Sequence, residues 1–466
     1  MKFIDTTQTA GHGLCLDLPR SISDAPEASA SMKDTSSELE MPRRSWLEKR
    51  EAPHSHVPHG EGGAAARVSV ELEEAVSLIT GALSPLETEE MPLAGALGRT
   101  VASTVTALVD QPPFNRSPLD GYALRAADSV SACREHPVRL WVTDTVFAGD
   151  VAGVPVLPGQ AVRVMTGAML PAGCDCVLRQ EDTDEGHPMV SIYAPLRPHE
   201  NYVDRGEDFR AGTPLLHAGT RLDAAALGLL ASAGFCSVMV KRRPVAALLT
   251  TGDEVVSPGA FPLPEGKIYN SHAALFSARL EELGFARPVV EHAGDNPEMA
   301  ARAMARLLER ADVLFTTGGV SVGSKDILHQ ALPLLGAEQV FWKVRFKPGT
   351  PALFSRWRGK PILSLSGNPF AAAATFELLG RPLLAALSGE PGTCSLRASG
   401  VLNTPFSKAS SGRRFVRGRY ADGQITLPER HSSGMLASLV GCNCLLDIPA
   451  GSGPLNAGRN VSVWML

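Results

Sequence analysis

Three short segments of this chain set glycines beside hydroxyls and carboxylates. They are Thr250-Thr251-Gly252-Asp253-Glu254, Thr316-Thr317-Gly318-Gly319-Val320-Ser321-Val322-Gly323 and Ser366-Gly367-Asn368-Pro369. Glycines let successive backbone N–H groups turn toward one point and cradle an anion. Asn368 as an N-cap with Pro369 at the first helical position would expose a helix N-terminus, which favours negative charge. The spacings match neither a Walker A loop nor G-x-G-x-x-G, so nucleoside-triphosphate and dinucleotide chemistry are disfavoured.

Acids stand beside these turns: Asp253, Glu254, Asp295 and Asp326. Asp120 lies in Ser117-Pro118-Leu119-Asp120-Gly121-Tyr122, and Asp208 in Arg205-Gly206-Glu207-Asp208. Carboxylates that flank anion-binding turns suggest a hydrated Mg²⁺ bridging acid and phosphate. Lys343 and Lys347, with Arg345 between them, alternate as one face of a strand does. Three cations there would hold phosphate or an oxyanion, and the same spacing also fits a solvated sheet edge.

The elements that must position these residues are legible in the rhythm of the chain. From Pro244, short apolar strands alternate with helical patterns. Strands are expected at Val245–Leu249, 288–291, 313–316, 340–346 and 361–365. Helices are expected at 273–283, Pro297–Arg310, 327–335 and 369–387. Such alternation predicts a doubly wound α/β domain over 244–390, with the three glycine turns where its strands end. Open α/β sheets bind ligands at those ends.

Around it the pattern differs. Residues 1–66 are rich in Ser, Glu, Pro and Ala and are expected to be a disordered extension. Their His54, His56 and His59 lack supporting residues and are read as no metal site. Val68, Leu72, Ala75, Leu78 and Ile79 make an apolar helical face, with Ser69 as its N-cap. Short strands then fill the region to about Val203, and 391–466 reads as a small β-barrel. The expected divisions are a discontinuous subdomain (67–133 and 209–243), a β-rich insertion (134–208), the α/β domain and the barrel.

The chain has 466 residues, enough for about three domains. With 44 Lys+Arg against 49 Asp+Glu it lacks the basic excess of a nucleic-acid binder. Eight cysteines without a CxxC pair read as reduced thiols, which suggests the cytoplasm. Cys174/Cys176 and Cys442/Cys444 are expected to point to one strand face each. The apolar stretch Leu222–Val240 reads as a helix followed by a strand, and no membrane span is expected.

Together these motifs carry a resemblance. From about residue 68 the chain resembles the MoeA/gephyrin E-domain family, the molybdopterin molybdenumtransferases. The matching stretches include Asp120-Gly121-Tyr122-Ala123, Met165-Thr166-Gly167-Ala168, Gln180-Glu181-Asp182, Arg205-Gly206-Glu207-Asp208, Thr251-Gly252-Asp253-Glu254, Ile268-Tyr269-Asn270, Gly318-Gly319-Val320-Ser321-Val322-Gly323, Phe341-Trp342-Lys343, Lys347-Pro348-Gly349 and Ser366-Gly367-Asn368-Pro369. The resemblance implies a MogA-like α/β domain. It also implies binding of adenylylated molybdopterin and molybdate, release of AMP, and insertion of molybdenum into the dithiolene.

Carried over, Asp120, Asp208, Glu254, Asp295 and Asp326 are the catalytic acids, and Glu254 and Asp326 hold Mg²⁺. Thr251, Gly252, Gly318, Gly319, Ser321, Gly323, Lys343, Lys347, Ser366, Gly367, Asn368 and Pro369 bind the pterin nucleotide. A homodimer with a shared site is implied, as are a molybdopterin adenylyltransferase and molybdoenzymes as partners. A gephyrin-like scaffold and the earlier adenylylation step are the alternatives. Thr350, Ser366, Asn115-Arg116 and Asn296 depart from the common family pattern.

Overall fold

The structure is a computed structural model that describes residues 67–321, 326–430 and 432–466. The extension expected at 1–66, with its three histidines, and the expected ligand Gly323 lie outside the described residues.

A seven-stranded sheet organises the α/β part. Its order is Arg67–Val70, Glu338–Val344, Leu353–Trp357, Lys360–Leu365, Val313–Thr317, Ala246–Thr251, Val289–Ala293. Every pairing is parallel except those made by Leu353–Trp357, a strand the sequence pattern did not announce. Helices cover both faces, so the strand Ala246–Thr251 is buried at every residue and opens as a continuous apolar run. Ala246 and Leu248 pack with Phe276, Leu280 and Phe376 on one side. Ala247 and Leu249 pack with Met304, Leu307 and Leu328 on the other.

The helix Pro297–Arg310 has the expected ends, because Asn296 caps it by accepting from Met299 N at 2.8 Å, and Pro297 sits in its first turn. The long run from Pro369 to Ser388 contains a π-turn at Phe376–Gly380, just ahead of Pro382. Proline has no N–H for the carbonyl one turn back, and widening the backbone there accommodates the loss. This run is apolar and long enough to cross a membrane, yet 89% of it is buried inside the protein, as a core helix is.

The start of the described chain corrects the expected cap. Arg67–Val70 is an edge strand paired with Phe341–Val344, and the helix begins only at Leu72. Ser69 has a φ of 66° and Val68 is exposed. The Val-Ser-Val alternation suits an edge strand, and a helix would need the apolar period that starts at Leu72.

A five-stranded sheet forms the insertion, in the order Cys176–Arg179, Gly121–Leu124, Gln160–Val164, Val138–Val146, Met189–Ile192. It takes Gly121–Leu124 from ahead of residue 134. The C-terminal strands Arg413–Ala421, Gln424–Thr426, Arg397–Leu402, Asn460–Met465 and Cys444–Ile448 close into a barrel. The short strand Phe346–Lys347 pairs with Arg413 and Arg414, so the α/β part is stitched to that barrel.

The cysteine pairs do not share faces as expected. Cys174 and Cys442 precede their strands, and Cys174 and Cys176 lie in different apolar clusters. Burial pushes the Cys174 and Cys444 thiols up to about 12, which keeps them protonated and unreactive.

Candidate active site

The cleft lies at the strand ends, where the three glycine turns meet. The first turn is shaped by a close approach: a side chain at Gly252, which has a φ of 126°, would lie 2.6 Å from Glu254 Oε2. Glu254 therefore folds back over its own turn. The second turn touches the first. A side chain at Gly318 (φ 90°) would lie 2.7 Å from Thr251 Oγ1, and that hydroxyl donates to Thr317 O at 3.2 Å. Trp342 Nε1 donates to Val320 O at 3.2 Å, and Leu328 N to Gly319 O at 3.1 Å, so the glycine loop is anchored on both sides.

Two compartments share Thr251, Glu254, Gly318 and Gly367. The first, of about 370 Å³, brings together Glu254, Asp295 and Asp326 with Gly252, Gly319, Ser321 and Ser366. Asp253 is used differently: its Oδ1 accepts from Asp295 N at 3.0 Å and so holds the loop that carries Asp295. The second, of about 280 Å³, is lined by Thr250, Asn270, His272, Thr317, Asn368 and Pro369, and Glu254 is its one charged residue. Burial pushes His272 down to about 4, so its ring is neutral near pH 7. Asn270 Nδ2 donates to Thr250 Oγ1 at 2.9 Å, and Thr250 Oγ1 lies 3.0 Å from His292 Nδ1. An acidic compartment joined to a polar, nearly uncharged one suits a ligand with a phosphate end and a neutral heterocyclic end.

The donor set of the acidic compartment fits Mg²⁺. Its acids are hard oxygen ligands, and Mg²⁺ is commonly held by one or two carboxylates, waters and substrate phosphates. Among the described residues no three acid, His or Cys side chains form a metal cage by themselves.

Asn368 and Pro369 stand at the helix start as expected, but the Asn368 side chain makes no cap bond. The three expected cations do not share a face. The long strand ends at Val344, and Lys343, at a φ of 69°, lies over the Trp342 ring at 4.0 Å. Arg345 turns to the edge strand, pairing with Glu71 at 3.1 Å, while Lys347 sits in the strand beside the barrel. Neither Lys343 nor Lys347 lines the two compartments.

Asp120 and Asp208 line neither compartment. They sit in a knot of loops where the inserted sheet joins the rest. Arg205 bonds Asp110 at 2.6 Å and donates its N–H to Asn115 Oδ1 at 2.8 Å, and Gly206 N donates to Pro112 O. Asp120 accepts from Thr166 Oγ1 and Thr166 N, both at 2.7 Å. Those bonds hold its carboxyl below the usual range.

Sequence reasoning did not single out His272, Pro351 or Gly434 as cleft residues. His272 follows closely on Ile268-Tyr269-Asn270, which was the available signal. Gly434 comes from the barrel, and nothing local announces it.

Comparisons with known proteins agree along the chain. Residues 70–234 match the family described as MoeA N-terminal region (domain I and II). Residues 247–386 match the probable molybdopterin binding domain, and 399–466 the MoeA C-terminal region (domain IV). A molybdopterin molybdenumtransferase of Bacillus subtilis is 34% identical over 408 residues, covering 86% of this chain and 95% of that one. One from Staphylococcus epidermidis is 31% identical over 401 residues, covering 85% and 96%. The crystal structure of a molybdopterin biosynthesis moea protein from Pyrococcus horikosii superposes with a TM-score of 0.76 at 30% identity, covering 85% of this chain and 99% of that one.

Proposed function

Because the chain belongs to the MoeA family of molybdopterin molybdenumtransferases, we infer that it inserts molybdenum into molybdopterin in molybdenum cofactor biosynthesis. In this reading the substrate arrives adenylylated, molybdate supplies the metal, and AMP leaves. The observation that carries it is the pairing of an acidic compartment with a polar one, charged only by Glu254, across Thr251, Glu254, Gly318 and Gly367. The phosphoanhydride lies over the glycine turns, and the neutral heterocycle enters beside Asn270 and His272.

Glu254 and Asp326 hold Mg²⁺, which when bound offsets charge on the anhydride. Asp295 stands beside them as a third acid. The Gly318 N–H is held by Leu365 O at 3.2 Å, so the Gly319 N–H is the one that orients a phosphate oxygen, and the neutral His272 adds no counter-charge at the heterocycle. Lys343 and Lys347 have no part in this reading, since neither lines the cleft.

Asp120 and Asp208 position molybdate or water from a second copy of the chain. The support is that both acids belong to the family motifs yet lie outside their own chain's cleft, so a homodimer with a shared site would give them a role. Transfer from a molybdopterin adenylyltransferase and delivery to molybdoenzymes complete the reading. The setting is the cytoplasm, where the thiols stay reduced.

The test is AMP release from adenylylated molybdopterin with molybdate and Mg²⁺. Glu254→Ala and Asp326→Ala should each lower it on the order of 100-fold. Unchanged release in both sinks the assignment. ATP-dependent adenylylation by this chain alone would point to the earlier step, and failure to restore molybdoenzymes in a deficient strain would point to a scaffold.

A further inference from the structure

Arg417 belongs to the barrel strand Arg413–Ala421 and is fully buried, at 0% exposure. Among the described residues no carboxylate pairs with it. Its guanidinium instead gathers one loop: Nε donates to Ser438 Oγ at 2.8 Å, and Nη2 to Ser432 O at 3.0 Å, to Met435 O at 3.2 Å and to Ser438 Oγ. Its Cζ lies over the ring of Phe370, 4.0 Å from the centroid, in the first turn of the cleft helix. Among the described residues Nη1 is buried with no partner. Burying an unpaired cation with one donor unmet is costly, and a buried Met or Leu would be cheaper if packing were the only need.

The gathered loop reaches the cleft. Ser433 O accepts from Phe370 N at 3.0 Å, and so takes one of the orphan donors at the helix start. Gly434 lines the second, polar compartment, and a side chain there would lie 3.8 Å from Asn368 Oδ1. One side chain from the barrel therefore fixes both a wall of the cleft and the ring beside the helix N-terminus. Arginine suits this because its planar fork bonds several carbonyls in one fixed geometry while stacking on an aromatic face, which lysine cannot do.

We propose that Arg417 is a positioning residue for the substrate: it holds Ser432–Ser438 as the barrel's wall of the cleft and thereby sets the affinity for molybdopterin there. The proposal rests on the cleft being the substrate site. In the full-length protein, Arg417→Lys should raise KM for adenylylated molybdopterin about tenfold and leave kcat within about threefold. Ser438→Ala, which removes one acceptor and keeps the guanidinium, should raise KM about threefold.

If both variants fold and KM stays within about twofold, Arg417 is merely structural and the proposal is overturned. A loss confined to kcat overturns it equally. If Arg417→Lys does not fold by circular dichroism, the KM of Ser438→Ala decides alone. Normal AMP release in both Glu254→Ala and Asp326→Ala sinks the cleft reading itself. Unchanged KM in the Arg417 and Ser438 variants, with Glu254→Ala impaired, sinks only this inference.

Discussion

The cleft of the α/β part and the loop knot around Asp120 both gather glycines and acids, yet they use them differently. In the cleft, the glycines allow contacts that any side chain would block, as at Gly318 against Thr251 Oγ1, and Glu254, Asp295 and Asp326 line one compartment. In the knot the acids act on their own chain. Asp110 accepts from Ala211 N at 2.8 Å and pairs with Arg205, and Asp120 is held by Thr166. The cleft is assembled by a sheet, whose strand ends converge whatever the loops do. The knot is assembled by its own hydrogen bonds.

The largest expected effect tests whether the knot serves the cleft of a second copy of the chain. Asp120→Ala and Glu254→Ala chains, each inactive alone, should recover roughly a quarter of wild-type AMP release when mixed as dimers, since half the dimers are mixed and each has one intact site. No recovery in proven mixed dimers would confine each site to one chain.

Next comes the glycine contrast. Gly318→Ala meets both a positive φ and Thr251 Oγ1 at 2.7 Å, and should cost about 1–3 kcal/mol of stability along with AMP release. Gly206→Ala in the knot also has a positive φ, of 73°, but meets Arg210 Cγ at 2.9 Å, on a flexible side chain. It should cost less and spare more activity. Thermal melts and the AMP assay rank the two, and equal losses would erase the distinction.

A smaller effect concerns protonation. His272 is held at about 4 by burial against an ordinary value of 6.5, so the unfolded chain binds the extra proton between those values. Its contribution is whole above pH 6.5 and is lost as pH falls toward 4. His272→Asn should flatten that part of the stability curve. An unchanged slope between pH 6.5 and 4 would show that the ring is not buried as described.

The smallest effect is in the knot. Asp120 has a lowered folded value, so its contribution is present above the ordinary carboxylate value of 3.8 and fades as pH falls through the folded one. Thr166→Val removes the hydroxyl bond, leaves the backbone bond, and should shift the Asp120 titration upward by NMR. No shift would mean that the hydroxyl is not the main cause.

The α/β part was readable because its strands are buried on both faces, and an apolar run between helical patterns has few other interpretations. Pro297–Arg310 shows this well: a cap, a proline and an apolar period all agree. The edge strand Arg67–Val70 was misread because four residues are too few to separate a strand from the helix that follows. Leu353–Trp357 was missed because nothing local marks an antiparallel strand inside a parallel sheet. The cation face failed for a related reason: the two-residue period of Lys343, Arg345 and Lys347 counts as one face only while the strand continues, and it ends at Val344.

By itself the sequence determined the chemistry on offer, namely the acids, the glycine turns and the family they belong to. These are local properties of residue type and spacing. Only the tertiary structure decided which of them meet. Glu254, Asp295 and Asp326 share a compartment because three parallel strands end side by side. Asp120 and Asp208 line neither compartment, and Gly434 lines the adjoining one, carried in from the barrel by the loop that Arg417 holds. Strand order and the packing of one module on another are sums of many weak long-range contacts, and no spacing along the chain records them.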